Sequence, residues 1–289
     1  MQDSRFRHVY AHHHDKSGVE IQDPYFSTTR HTNIHIARWN GTTVALKDWR
    51  PSKKLEDEPL EEVLKEFSRQ LDKWKAVSSH RNILGFHGLV DDQKQIPMLI
   101  MPQMKWNILQ FSRQHPHADK LVLMHQLSSA LRYLHSQQPP IVHGDVKGTN
   151  IFISGGHQLL LSDIGMTTPF LNPEVSAEWN LSENCRWQAP ELLIQDNGSA
   201  LRTPCDVWSF GMTALHVFTG NKPFDHIHVT PTVLMNITAG AIPQRPAMEV
   251  IDDDLWEILQ NCWKFDPSMR PSMDSILPWI RLVREKQRT

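Results

Sequence analysis

Four polar residues stand at the edges of two short apolar runs. Asp145, Lys147 and Asn150 precede the Ile-Phe-Ile of 151–153, and Asp163 follows the Leu-Leu-Leu of 159–161. A Ser-Gly-Gly-His-Gln turn separates the runs, a pattern that predicts a β-hairpin with a glycine-containing loop. A hairpin brings its outer ends together, so two carboxylates, one amide and one amine should meet at a single mouth. Asn150 and Asp163 offer hard oxygen ligands of the kind Mg²⁺ takes alongside phosphates and water. Asp145 is left over to accept or orient a proton. This is a phosphoryl-transfer site in outline. Each residue alone is an ordinary turn residue; the combination at one mouth carries the reading.

These residues need a frame. Residues 1–20 are polar and contain His8 and His12–His14; such a run could hold a metal, but a solvated tail is the expectation. From about 25 to 49 the pattern is β-like, with an Asn40-Gly41 turn between 34–39 and 43–47. Residues 51–58, rich in proline and charge, read as a loop. Leu60, Val63, Leu64, Phe67, Leu71 and Trp74 recur at helical spacing and predict one amphipathic helix over 60–77. Two more strands are expected over 83–90 and 97–101. A strong helix is expected over 121–136, ended by Pro139-Pro140. After the hairpin comes a polar, irregular stretch to Asn184. Helices follow around 205–219, 229–239, 254–263 and 274–286. A β-rich part thus gives way to a helical part near 101–106.

Composition narrows the function classes. The chain has 289 residues, 39% of them hydrophobic, enough for a real core. Thirty basic against 32 acidic residues give a net charge of −2, so no basic footprint points to nucleic acid. Cys185, Cys205 and Cys262 are odd in number and lack metal spacing, which favours a reduced, cytoplasmic setting over a disulfide framework. No apolar run approaches the ~20 residues of a membrane helix, and the Met1-Gln-Asp-Ser-Arg start lacks the apolar stretch of a secretory signal.

Six stretches in order resemble motifs of the eukaryotic protein kinase family, over roughly residues 24–285. They are Val44-Ala-Leu-Lys47, His143-Gly-Asp145-Val-Lys147-Gly-Thr-Asn150, Asp163-Ile164-Gly165, Ala189-Pro190-Glu191, Asp206-Val-Trp-Ser-Phe-Gly and Pro267-Ser-Met-Arg270-Pro. The run Arg186-Trp187-Gln-Ala-Pro-Glu looks like the tyrosine-kinase-like group, which includes many fungal members. The resemblance implies an α+β, two-lobed protein kinase-like fold: a small antiparallel β-sheet lobe with one helix over about 21–101, a hinge over about 102–105, and a larger, mostly helical lobe over about 106–287. It implies ATP and Mg²⁺ as cofactors and a protein hydroxyl, of Ser or Thr, as acceptor in intracellular signalling. By the same resemblance Lys47 would hold the α- and β-phosphates, Asp145 would take or orient the hydroxyl proton, and Lys147 would steady the γ-phosphate. Asn150 and Asp163 would bind magnesium. Met101 would be the gatekeeper, with the Pro102 carbonyl and the Met104 N–H facing adenine. His143, Ile164 and Gly165 would support the site, as would Asp206 and a Glu191–Arg270 pair.

The chain also departs from the family pattern. The glycine-rich loop should be Ser27-Thr-Thr29-Arg-His-Thr32-Asn-Ile34, with no glycine to let backbone N–H groups approach phosphates; Ser27, Thr29 and Thr32 hydroxyls could still donate. The helix position that should give Lys47 a glutamate is Gln70, a weaker neutral partner. Glu66, one turn earlier, is expected either to replace that acid or to be a solvated surface charge. Gly144 stands where the family has a phosphate-binding arginine, which implies independence from an activation-segment phosphate. Ile164 replaces a phenylalanine and should pack between His143 and Trp74. Asn184 stands where many Ser/Thr members have a threonine contacting Asp145. Two readings follow: a Ser/Thr kinase, or a pseudokinase serving as a nucleotide-binding or scaffold module.

Overall fold

The computed structural model describes residues 18–28, 32–49, 60–90, 96–166, 182–194 and 201–288. The His-containing tail, Thr29 of the expected phosphate loop and the loop expected over 51–58 lie outside these. Two compact units are present: residues up to 79 with 84–105 and Met166, and residues 80–83 with 106–165 and 182 onward.

The first unit is a five-stranded antiparallel sheet with one helix. The strands are β1 (Val19–Thr28), β2 (Thr32–Trp39), β3 (Thr42–Trp49), β4 (Gly88–Val90) and β5 (Met98–Pro102), in the order β1-β2-β3-β5-β4. Asn40 (φ 49°) and Gly41 (φ 76°) both sit in the left-handed region. That is the type I′ geometry whose twist suits a two-residue hairpin. Val44 and Leu46 of β3 join Ala37, Met98 and Ile100 in a core on one face, so alternation turns Lys47 to the other. Helix α1 (Leu60–Val77) buries Val63, Leu64, Phe67, Leu71 and Trp74. Its acidic first turn and Lys75 near its end complement the helix dipole.

One expected strand is shorter than the sequence pattern suggests. Residues 84–87 are not strand, and β4 begins only at Gly88. The Trp74 indole N–H donates to the Leu84 carbonyl at 2.7 Å, so that carbonyl is engaged by a side chain, not by a ladder. Ile83 makes only an isolated bridge, to Leu161 in the second unit, to which it belongs. The apolar run marks burial without marking a strand.

The second unit joins a three-stranded sheet, β6 (Trp106–Asn107), β7 (Ile151–Ile153) and β8 (Leu159–Leu161), to helices α2 (Ile108–Gln114), α3 (Lys120–His135), α4 (Pro190–Leu193), α5 (Thr203–Thr219), α6 (Thr230–Thr238), α7 (Asp253–Cys262) and α8 (Met273–Lys286). The short α2 is set by a capping box in which Asn107 and Gln110 satisfy each other's backbone N–H groups. Helix α5 is buried continuously from Cys205 to Val217, as an all-round apolar helix must be. It ends at Gly220 in the left-handed conformation (φ 75°).

Gly211 lets α5 sit against α7. A Cβ there would lie 2.6 Å from the Trp263 indole nitrogen and 3.0 Å from Cys262 Cβ. Gly211→Ala should therefore lower stability by about 1–3 kcal/mol in urea unfolding. His216, also on α5, is 8% exposed, and its Nδ1 has no hydrogen-bond partner. Burial, reinforced by the charge of Arg113, holds its imidazole down to about 4. The unfolded chain therefore binds this proton more readily than the folded one. Stability should be full above the ordinary histidine value of about 6.5 and fall progressively towards pH 4, by about 3 kcal/mol. His216→Met should flatten that acid limb; an unchanged slope would reject this assignment.

Candidate active site

The second unit builds its site around one carboxylate. Asp206, in the first turn of α5, is 1% exposed. Its Oδ2 accepts from the His143 N–H at 2.8 Å and faces His135 Nε2 at 2.8 Å, while its Oδ1 accepts from the Gly144 N–H at 2.8 Å. Gly144 has φ 80°, a conformation that costs glycine little. It lets two consecutive N–H groups converge on one side chain. Farther along the helix, Thr213 Oγ1 donates to the Val146 carbonyl at 2.9 Å. Helix α5 thus grips the 143–146 loop at both ends.

His143, fully buried, is the second tie. The Asp145 N–H donates to its Nδ1 at 3.1 Å, and its Nε2 meets the Ser162 carbonyl at 2.7 Å. Only the Nε2–H tautomer satisfies both. The ring therefore links the residue before Asp163 to Asp145. The Gly165 N–H donates to the His143 carbonyl at 3.1 Å, and Ile164 between them is fully buried.

The polar residues at the mouth of the β7–β8 hairpin then fall into place. Ile151 pairs with Leu161, and one step outward both the N–H and the hydroxyl of Ser162 bond the Asn150 carbonyl. Asn150 and Asp163 are thereby neighbours. Asp145 Oδ2 accepts from Asn150 Nδ2 at 2.8 Å and pairs with Lys147 Nζ at 2.7 Å. Asp145 and Lys147 side chains are each 15% exposed, so solvent weakens the pair little. Among the described residues no donor reaches Asp145 Oδ1. Lys147 also donates to Asn184 Oδ1 at 3.1 Å, so Asn184 touches Asp145's partner, whereas the family threonine it replaces was expected to touch the aspartate.

The oxygen set fits a magnesium–nucleotide pair. Asn150 commits its amide nitrogen to Asp145, directing Oδ1 away from that bond. Asp163 is a buried carboxylate held at φ 64°. No cluster of three or more His, Cys, Asp or Glu with metal-ligating geometry occurs among the described residues. One amide and one carboxylate oxygen are not a self-sufficient cage, but they suit a hard cation that completes its shell with phosphate and water.

In the first unit, sheet register sets the expected nucleotide residues. Ser27, Ile34, Lys47 and Leu99 form one row across β1, β2, β3 and β5. Ala45 pairs with Met101 and Val44 with Pro102. Met101, nearly buried, therefore shares a sheet face with Lys47. Met104 lies just past the strand, and Thr32 opens β2 opposite Trp49. Lys47 Nζ lies 5.5 Å from the Trp49 ring centre, and Trp49 packs edge-on to Phe67 of α1.

Gln70 and Glu66 bond each other within α1. Gln70 is 3% exposed and donates to Glu66 Oε1 at 2.5 Å; Arg69 clamps both Glu66 oxygens at 2.7 Å. Burial opposes the charge on Glu66 most strongly. Hydrogen bonds from Arg69 and Gln70, with the charges of Arg69 and Lys73, outweigh it and hold the carboxyl below its ordinary range. Glu66 is half-buried and committed to Arg69 and Gln70 of its own helix.

Farther out, Arg270 makes a bidentate pair with Glu191 at 2.7 and 2.8 Å. Burial, foremost, and the nearby Glu191 push the Cys205 thiol up to about 12, so it remains a thiol that donates to Glu191 at 3.3 Å. Sequence reasoning missed His135, Thr213 and Arg186. Arg186 is fully buried, and its guanidinium donates to the carbonyls of Pro223, Phe224 and Ile227. Its partners lie 37 to 41 residues away, and no local signal announces them.

A family model described as protein tyrosine and serine/threonine kinase matches residues 23–280. The chain is 25% identical over 206 residues to Mitogen-activated protein kinase kinase kinase 9 of Arabidopsis thaliana, covering 70% of this chain and 26% of that protein. It is 25% identical over 257 residues to Serine/threonine-protein kinase CTR1 of the same plant, covering 86% and 30%. It is 24% identical over 263 residues to Cytoplasmic tyrosine-protein kinase BMX of Homo sapiens, covering 88% and 36%. The chain thus spans about a quarter to a third of the length of these curated relatives.

Asp206→Asn keeps the shape but turns an amide NH₂ toward groups that are themselves donors. It should cost about 3 kcal/mol in denaturant unfolding, the scale of buried groups left unsatisfied. The loss should appear as a lower midpoint with an unchanged slope on denaturant.

Proposed function

The chain belongs to the protein tyrosine and serine/threonine kinase family, and from that premise we propose that it transfers the γ-phosphoryl group of ATP to a protein hydroxyl, of Ser or Thr, in intracellular signalling. The observation that carries this reading is the state of Asp145. Lys147 and Asn150 both hold its Oδ2, and its Oδ1 accepts from no group among the described residues. A carboxylate fixed on one oxygen and open on the other is suited to receive a hydroxyl proton.

In this reading the substrate oxygen attacks the γ-phosphorus, the bond from that phosphorus to the ADP oxygen breaks, and the hydroxyl proton passes to Asp145 Oδ1. Lys147, held between Asp145 and Asn184, offsets charge on the transferred group. Asn150 and Asp163 would hold magnesium, which would supply positive charge to offset that of the phosphates. Lys47 binds the α- and β-phosphates; Met101, the Pro102 carbonyl and the Met104 N–H face adenine; Ser27, Thr29 and Thr32 stand in for the phosphate-loop glycines. The kinase domain spans about 21–287, of the tyrosine-kinase-like group. Lys147 beside Asp145 supports Ser/Thr over Tyr. The three free, buried cysteines support a reducing cytoplasmic setting. No helix among the described residues is long and apolar enough to cross a membrane.

A second reading has its own observation. Gln70 bonds Glu66, and α1 brings Lys47 no carboxylate from position 70. Weak nucleotide positioning would leave a binding or scaffold module.

Mg-ATP turnover on a generic protein substrate, with analysis of the phosphorylated residue, separates the two. The wild-type chain should phosphorylate Ser or Thr, and Asp145→Asn should lower the rate at least about 100-fold while nucleotide still raises the melting temperature. No turnover by the wild type, with nucleotide stabilisation intact, would establish the scaffold reading. Phosphotyrosine as the product would overturn the Ser/Thr assignment alone.

A further inference from the structure

The second unit holds a basic cavity lined by none of the residues assigned to phosphoryl transfer. Helices α3 and α8 pack together, and residues of both, with Arg81 and Asn82, line a cavity of about 470 Å³. Its lining residues repeat at helical spacing on both sides. On α3 they include His125, Gln126 and Ser129; on α8 and just beyond, Arg281, Arg284 and Arg288. Residues three apart share a helix face, so Arg281 and Arg284 stand on one side of α8, and Arg288 follows two residues past its end. Arg81 lines it as well.

The charge in this cavity is only partly answered. Arg281 pairs with Glu285 at 2.9 Å. Arg284 and Arg288 share one oxygen of Asp119, at 2.7 and 3.6 Å. The Arg81 guanidinium makes no hydrogen bond or ion pair among the described residues, although its carbonyl accepts from Gln158. Four arginines against two carboxylates leave an excess of two positive charges. His125 lines the same cavity, and burial, first, and then the charges of Arg281 and Arg284 hold its imidazole below the ordinary value. The wall is also built: Gln126 Oε1 accepts from the Leu159 N–H at 2.7 Å and from Asn82 Nδ2 at 3.3 Å.

We infer that this cavity binds a small molecule carrying several phosphate groups. Guanidinium forks match phosphate oxygens two at a time. Arg281 and Arg284 stand on the last turns of α8, Arg288 lies two residues past its end, and Arg81 comes from a separate segment. Four guanidiniums exceed what one phosphate engages and suit a compact polyol with phosphates on more than one side. The volume lies within the range of small-molecule pockets. The same chemistry occurs in a soluble phosphorylated inositol and in the headgroup of a phosphorylated inositol lipid. The site is separate from the proposed phosphoryl-transfer residues, so it stands or falls without them.

The test uses the full chain saturated with Mg-ATP, titrated with inositol hexakisphosphate and, separately, mixed with phosphatidylcholine vesicles with and without phosphatidylinositol bisphosphate. One inositol hexakisphosphate should bind per chain, raise the melting temperature and weaken as salt rises. Arg81→Gln with Arg288→Gln, both at exposed positions, should weaken binding at least about tenfold, the scale of one charge-assisted hydrogen bond; Arg281→Gln alone should weaken it less, and Lys222→Gln not at all. Unliganded melting temperatures show that each variant is folded. Binding only to the phosphoinositide vesicles, lost in the arginine variants, would support the site and assign the lipid headgroup as its source. Binding equal in wild type and arginine variants, or absent with every probe, would overturn the inference.

Discussion

A carboxylate removed from water must find donors or lose its charge, and Asp206 finds three within 2.8 Å. Two are consecutive backbone N–H groups, which can converge only because Gly144 takes a positive φ. The third is His135 at the end of α3. One side chain therefore ties α5, α3 and the 143–145 loop to a common point. His143, oriented by that loop, passes the constraint on: its two ring nitrogens fix the Asp145 backbone and the Ser162 carbonyl. Asp145 and Asp163 sit on different segments, yet one imidazole sets their spacing. Gly211 belongs to the same scheme, because α5 carries Asp206 only where α7 lets it lie.

The site itself is a gradient of commitment. Asp206 is fully satisfied and has no chemistry left to offer. Asp145 is satisfied on one oxygen. Lys147 is shared between Asp145 and Asn184, a carboxylate and an amide. The contact to the carboxylate is the shorter, 2.7 Å against 3.1 Å, and it alone joins two opposite charges. This is how a rigid frame can present reactive groups: second neighbours are saturated so that first neighbours need not be.

Much of this was legible in the sequence where the signal was local. The stripe from Val63 to Trp74 is α1, the Asn40-Gly41 pair is a left-handed turn, and the Leu-Leu-Leu and Ile-Phe-Ile runs are β8 and β7. Polar residues just outside those two strands had to share a mouth, since antiparallel pairing leaves no other place for them. The errors have equally physical causes. Burial at 83–84 mimicked a strand because apolar runs report burial before they report pairing. The seven residues of α2 are too few to show a period, although Asn107 and Gln110 form a capping box that could have marked its start. His135, Thr213 and Arg186 act through carbonyls and carboxylates tens of residues away, and no spacing rule reaches that far.

The first unit shows the same logic under a different sequence. Gln70 occupies a position buried enough that a carboxylate there would need a cation close by. A neutral amide relaxes that demand, and its N–H instead draws in Glu66, already clamped by Arg69. The acid is still present in α1, displaced by one turn and neutralised locally, so the helix keeps its charge balance without relying on Lys47. That lysine is oriented by its place on β3, with its Nζ beside the Trp49 ring, and Trp49 is in turn fixed by Phe67. The strand register that pairs Lys47 with Ile34 and Leu99 and the packing of Trp49 on Phe67 therefore both bear on where this lysine stands.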